Sequence, residues 1–133
     1  MLSAIFLSAV ASAEYPQYLN GDRNYILFDG FQGGARYVCR NSLSVESRNV
    51  ISIGWVYAED GKITVRQNVR FGYDLSARKI YFVTDGGDWK LIEPEGSRAS
   101  GSAMAGAAEI AFCLAYGEKF LGIYPDKFYD FMR

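Results

Sequence analysis

Histidine is missing from the 133-residue chain altogether, and cysteine occurs only twice. Without imidazole, neither His-centred nucleophilic triads nor the commonest zinc sites can be built. Two thiols are too few for a Cys-rich metal site. An excess of either charge is lacking as well: 14 basic side chains stand against 15 acidic ones, a formal net charge of -1. A chain without a basic surplus has no general attraction for nucleic acid or anionic lipid, so nucleic-acid binding is not expected. Long apolar runs are also scarce, and no segment approaches the roughly 18 residues of a membrane-spanning helix. The expected metal, cofactor and transmembrane content is therefore none.

What is present is apolar and aromatic: half of the residues are hydrophobic and 16% are Phe, Trp or Tyr. That suffices for one domain with an ordinary core. The first residues, "MLSAIFLSAVASAEYPQY", carry an apolar run from Leu2 to Val10 and then Ala11-Ser12-Ala13. This is the small-x-small pattern of a secretory signal, although the basic segment that normally precedes the run is absent. The expectation is a leader over 1–13 and a single exported domain over 14–133; the other reading of the run is a buried N-terminal strand or helix.

Beyond the loop "EYPQYLNGDRN", period-two patterning dominates. "YILF" (Tyr25 to Phe28) and "ARYVCR" (Ala35 to Arg40) read as strands, the latter with Tyr37 and Cys39 on one face and Arg36, Val38 and Arg40 on the other. "NSLSVESRN" reads as a polar link. "VISIGWVYA" sets Ile51, Ile53, Trp55 and Tyr57 against smaller residues. Asp60-Gly61 then marks a hairpin, and "KITVRQNVRFGY" puts Ile63, Val65, Val69, Phe71 and Tyr73 on one face. "RKIYFVT" and "WKLIEP" complete a meander of about six strands, which Pro94 and Gly96 end. The period then changes: "SRASGSAMAGAAEIAFCLAYG" is the one good helical candidate, terminated at Gly117. The aromatic tail after it is expected to pack back on the domain, with a last turn of helix after Pro125.

The fold class expected is therefore α+β, an antiparallel meander with the helix near Gly101 to Tyr116 covering one face. In an exported protein, Cys39 and Cys113 are expected to form a disulfide; in a cytosolic one they would be two buried thiols. On the helix, Ser102, Gly106, Glu109, Ile110 and Tyr116 share the face of Cys113. Small residues there would let the backbone lie close on a sheet face carrying Cys39, stapling the helix in place.

A signal peptide, a meander containing "ARYVCR", "GWVY" and "GDWKLIEPEGS", and a helix ending in "AFC" together resemble the surface-adhesin protein E-like family of Gram-negative bacteria, over about residues 24–116. The resemblance implies a bent antiparallel sheet crossed by a disulfide-tied helix, a periplasmic or cell-surface location, and adhesin-like binding of host matrix proteins or haem. No motif here lets that family's binding residues be carried over.

Candidate binding residues come from the polar face of one strand. Arg66 and Arg70, separated by Asn68, form a basic stripe that Arg36 and Arg40 would extend, suited to an acidic partner or glycan. The plainer reading is the solvated side of a half-covered sheet. Asp22, Asp29, Asp60, Asp74, Asp85 and Asp88, mostly beside glycine, read as turn residues, and no calcium loop, phosphate cradle or nucleophile elbow is present. No catalytic residue is assigned. The expectation is a non-enzymatic exported binding protein that presents a sheet face, or the aromatic termini with Tyr15, Tyr18, Tyr124 and Tyr129, to a protein or small-molecule ligand. The alternatives are a periplasmic assembly factor, dimeric through an open sheet edge, and an enzyme or enzyme inhibitor.

Overall fold

The computed structural model describes residues 15–98 and 101–132; the expected leader, 1–13, lies outside them. Six strands follow in chain order: β1 (Tyr25–Phe31), β2 (Gly34–Ser47), β3 (Val50–Glu59), β4 (Lys62–Asp74), β5 (Lys79–Val83) and β6 (Lys90–Leu91). Two helices close the chain, α1 (Ser102–Tyr116) and α2 (Asp126–Met132). Each strand pairs antiparallel with the next, giving one meander sheet in sequence order. The α+β architecture with a C-terminal helix is thus present.

The Asp60-Gly61 hairpin has the two positive φ angles, 50° and 78°, that a tight turn between twisted strands requires. The polar "NSLSVES" stretch is not a link. It extends β2 to Ser47 across an irregularity where the β2 stretch from Cys39 to Ser44 opposes only Ser52 to Gly54 of β3. At that bulge the Gly54 amide donates to Ser42 Oγ at 2.7 Å, and the same hydroxyl donates to the Cys39 carbonyl at 2.7 Å. A serine side chain therefore supplies the acceptor that the interrupted ladder withdraws.

Both faces of the sheet carry apolar clusters. On the front, Ile26, Val38, Ile51, Ile53, Val69, Phe71 and Tyr73 pack with α1. On the back, Leu27, Ala35, Tyr37, Val56 and Ala58 are covered by the N-terminal segment through Leu19 and Tyr15. Tyr37 fixes that cover by donating its hydroxyl to the Pro16 carbonyl at 3.1 Å. A second bulge, at Thr64, lets Tyr57 pair with Val65 while Ala58 pairs with Ile63. Ile63 consequently joins the back cluster instead of sharing the face of Val69.

The expected disulfide is absent: Cys39 and Cys113 are not bonded to each other. Alternation along β2 explains why. The residue beneath the helix is Val38, in the front cluster with Cys113, so its neighbour Cys39 is directed to the back cluster with Tyr37. A sheet stands between the two sulfurs, and a disulfide needs its Cα atoms within about 7 Å.

The small residues of α1 have a different explanation. Every residue from Met104 to Cys113 is buried, because the helix is covered on one side by the sheet and on the other by the C-terminal tail. At Gly106 both covers come close: a Cβ there would lie 2.4 Å from the Tyr124 hydroxyl and 3.2 Å from the Phe28 carbonyl. Glu109, fully buried, ties down the tail. Its carboxylate accepts from the amides of Phe120 (3.1 Å), Leu121 (2.7 Å) and Gly122 (2.9 Å), and from the Tyr129 hydroxyl. As expected, the tail packs back and ends in a short helix after Pro125.

Candidate functional site

The four arginines singled out from the sequence do not form one stripe. Arg66 and Arg70 share the back face of β4, since Val69 and Phe71 between and beside them face the front. Arg36 lies on the front, its guanidinium 5.0 Å from the Trp55 ring centre and 3.6 Å from Asp29. Burial pulls the Arg36 pKa down and Asp29 works against that shift. Asp29 is also held by Arg98 at 2.7 Å. Arg40 turns to the N-terminal loop and donates to the Arg23 carbonyl at 3.2 Å.

The back face is uncovered at the end away from the N-terminal segment, and there the aromatic and charged groups converge. Arg70 makes a two-pronged ion pair with Glu46, Nη2 donating to Oε1 at 2.8 Å and Nε to Oε2 at 3.1 Å, which holds the Glu46 carboxyl below the usual carboxylate range. The same guanidinium lies 5.3 Å from the centre of the Trp89 ring. Trp89 comes from the loop between β5 and β6, and its six-membered ring covers Gly72: a Cβ at that glycine would lie 3.3 Å from Cζ3. Gly72 pairs with Tyr81 across β4 and β5, so a second aromatic residue stands beside the indole. The position without a side chain is what lets the ring rest on the strand.

Trp89 is 43% exposed, and concave surface adjoins it on both sides. One groove, of about 730 Å³, is lined by Arg48, Asn49, Asp74, Leu75, Ser76 and Tyr81 together with Trp89. The other, of about 320 Å³, includes Asn68, Arg70, Asp85 and Trp89. A third cavity, of about 330 Å³, lies on the front face against Trp55, Arg36, Tyr57 and Glu59.

Three phenols with raised titrations are turned into the core. Tyr73 donates to the Ala108 carbonyl at 2.8 Å, Tyr129 to Glu109, and the Tyr124 hydroxyl sits against Gly106. Burial, reinforced by the Glu109 carboxylate, pushes all three phenols up. Burial likewise raises the Cys39 thiol, with Arg66 acting against it, the opposite of what an activated thiolate requires. Among the described residues no group of three His, Cys, Asp or Glu side chains is placed to hold a metal ion, and no helix is long and apolar enough to cross a membrane.

Sequence reasoning picked out Arg66 and Arg70 but missed Trp89, which it took only as the start of a strand. The available signal was Gly72, a lone glycine interrupting the polar face of an otherwise regular strand, which marks close approach by another group. No family model, no curated protein and no solved structure matches the chain.

Proposed function

We propose that the chain is an exported, non-catalytic binding protein of adhesin-like type, and that it binds through the uncovered end of the back face. The observation that carries this reading is Trp89: a large, partly exposed indole resting on Gly72, flanked by an Arg70 side chain that Glu46 already holds. Fixed aromatic residues at a concave surface give contact area at little entropic cost, and they dominate binding energy where they occur. Export is supported by the N-terminal apolar run and its Ala-Ser-Ala close, and adhesin-like binding by the resemblance of "ARYVCR", "GWVY" and "GDWKLIEPEGS". The unbonded cysteines depart from the tied helix of that family.

The test is retention of the purified protein on immobilised extracellular-matrix material, separated into protein and glycan fractions. Trp89→Ala is expected to lose retention, while Val65→Ser, on the front face, keeps it. Equal retention of wild type and Trp89→Ala, or none by either, contradicts the reading. Protease treatment of intact producing cells is expected to cleave the protein.

One observation favours the assembly alternative. Residues 62–69 of β4 have no strand partner on the β5 side among the described residues, because β5 pairs only from Arg70 onward. An edge of that kind can pair with a second copy. Sedimentation across a concentration series would show a dimer abolished by Val65→Pro; a monomer at all concentrations removes this option.

A further inference from the structure

We infer that the Trp89 site takes a neutral oligosaccharide, running across the indole from one groove into the other; this inference rests on the binding reading above. The chemistry of the site selects the class. A pyranose ring has a C–H face and a hydroxyl rim, so it needs a flat aromatic surface with hydrogen-bonding side chains around it. Trp89 offers the surface, and Asn49, Asp74 and Ser76 on one side with Asn68 and Asp85 on the other offer the rim.

Charge argues against the ligands that would otherwise stack on an indole. Arg70 is already matched by Glu46, and the remaining grooves set Arg48 against Asp74 and Asp85. A nucleotide or sulfated glycan would bring its anions to a site with no cationic surplus, where desolvating them goes uncompensated. A hydroxyl-rich neutral chain meets no such penalty. The two grooves share Trp89 as their common wall, so the occupant is longer than one sugar ring.

The experiment is a titration of ¹⁵N-labelled protein with maltohexaose, cellohexaose and chitohexaose, with a heparin hexasaccharide as charged comparator, followed by NMR. At least one neutral hexasaccharide is expected to move the Trp89 indole N–H and the Asn49 amide while leaving the Trp55 indole in place. Trp89→Ala should weaken that binding at least about tenfold, as loss of a central aromatic contact does, and Trp89→Tyr should restore most of it. Asn49→Ala, at the groove rim, provides a second variant should Trp89→Ala fold poorly, and it is expected to weaken binding as well. Silence of Trp89 toward all three neutral sugars, or binding of the heparin fragment alone, overturns the inference. If the sugars are silent while Trp89→Ala still abolishes retention on matrix protein, the ligand class is wrong and the binding surface stands. If that retention is also absent, both fall.

Discussion

Glu109 concentrates the tail's attachment in one side chain. It is a fully buried carboxylate accepting from three consecutive backbone amides and a tyrosine hydroxyl. Removing the acceptor would strand the Phe120 amide and the Tyr129 hydroxyl in the core, where each unsatisfied group costs about 1–3 kcal/mol, and would leave the partly buried amides of Leu121 and Gly122 to water. Glu109→Ala is accordingly expected to destabilise the fold by at least about 3 kcal/mol, with faster hydrogen exchange at residues 120–122 as the site-specific readout. Unchanged exchange there would contradict the role given to the carboxylate. Gly106 makes the complementary case by lacking atoms. Gly106→Ala places a methyl against the Tyr124 hydroxyl and the Phe28 backbone, an overpacking expected to cost about 1–3 kcal/mol. Adding Tyr124→Phe should recover part of the loss, because it removes the atom met first; no recovery would place the strain on the Phe28 side.

At the scale of elements, the alternation of β2 decides the fate of both cysteines. With Val38 beneath α1 and Cys39 on the other face, alkylation of the unfolded protein without reductant is expected to label both cysteines. Reductant should leave the melting temperature where it is, and a fall on reduction would restore the staple. The strands themselves were legible because β3 and the second half of β4 alternate large apolar with small or polar residues, and because Asp60-Gly61 admits few conformations other than a tight turn. The ends of α1 were legible for the same kind of local reason, a change of period and Gly117. The face that α1 selects was not. β2 carries apolar residues on both sides, Val38 on one and Ala35 and Tyr37 on the other, and the choice is made by Ile26, Ile51 and Ile53 on neighbouring strands. The bulges at Ser42 and Thr64 hide for a similar reason, since they reassign faces through hydrogen bonds that local sequence does not announce. Trp89 becomes a site residue only when Gly72, on a strand not adjacent in sequence, comes beneath it.

For the whole molecule, the small residues of α1 reflect a helix enclosed on two sides, by the sheet and by its own C-terminal continuation. This enclosure has a pH signature. Tyr73, Tyr124 and Tyr129 are held protonated by burial, each raised above the usual tyrosine value of 10.0. Above that value the unfolded chain releases these protons while the folded one retains them. Stability is therefore complete below about pH 10 and declines as pH rises further. Melting temperatures between pH 8 and 12 should show that decline, with a shallower slope in Tyr129→Phe; a flat profile would contradict the enclosure.

The same wrapping leaves one end of the back face open, and the functional reading depends on Trp89 being seated there before any ligand arrives. The most direct measurement is solution NMR of the free protein. The account predicts nuclear Overhauser contacts from the Trp89 ring to the Gly72 α-protons, an upfield ring-current shift of those protons, and an indole N–H that exchanges faster than that of Trp55. A Trp89 ring without contacts to Gly72, at the shifts of an unstructured chain, would contradict it.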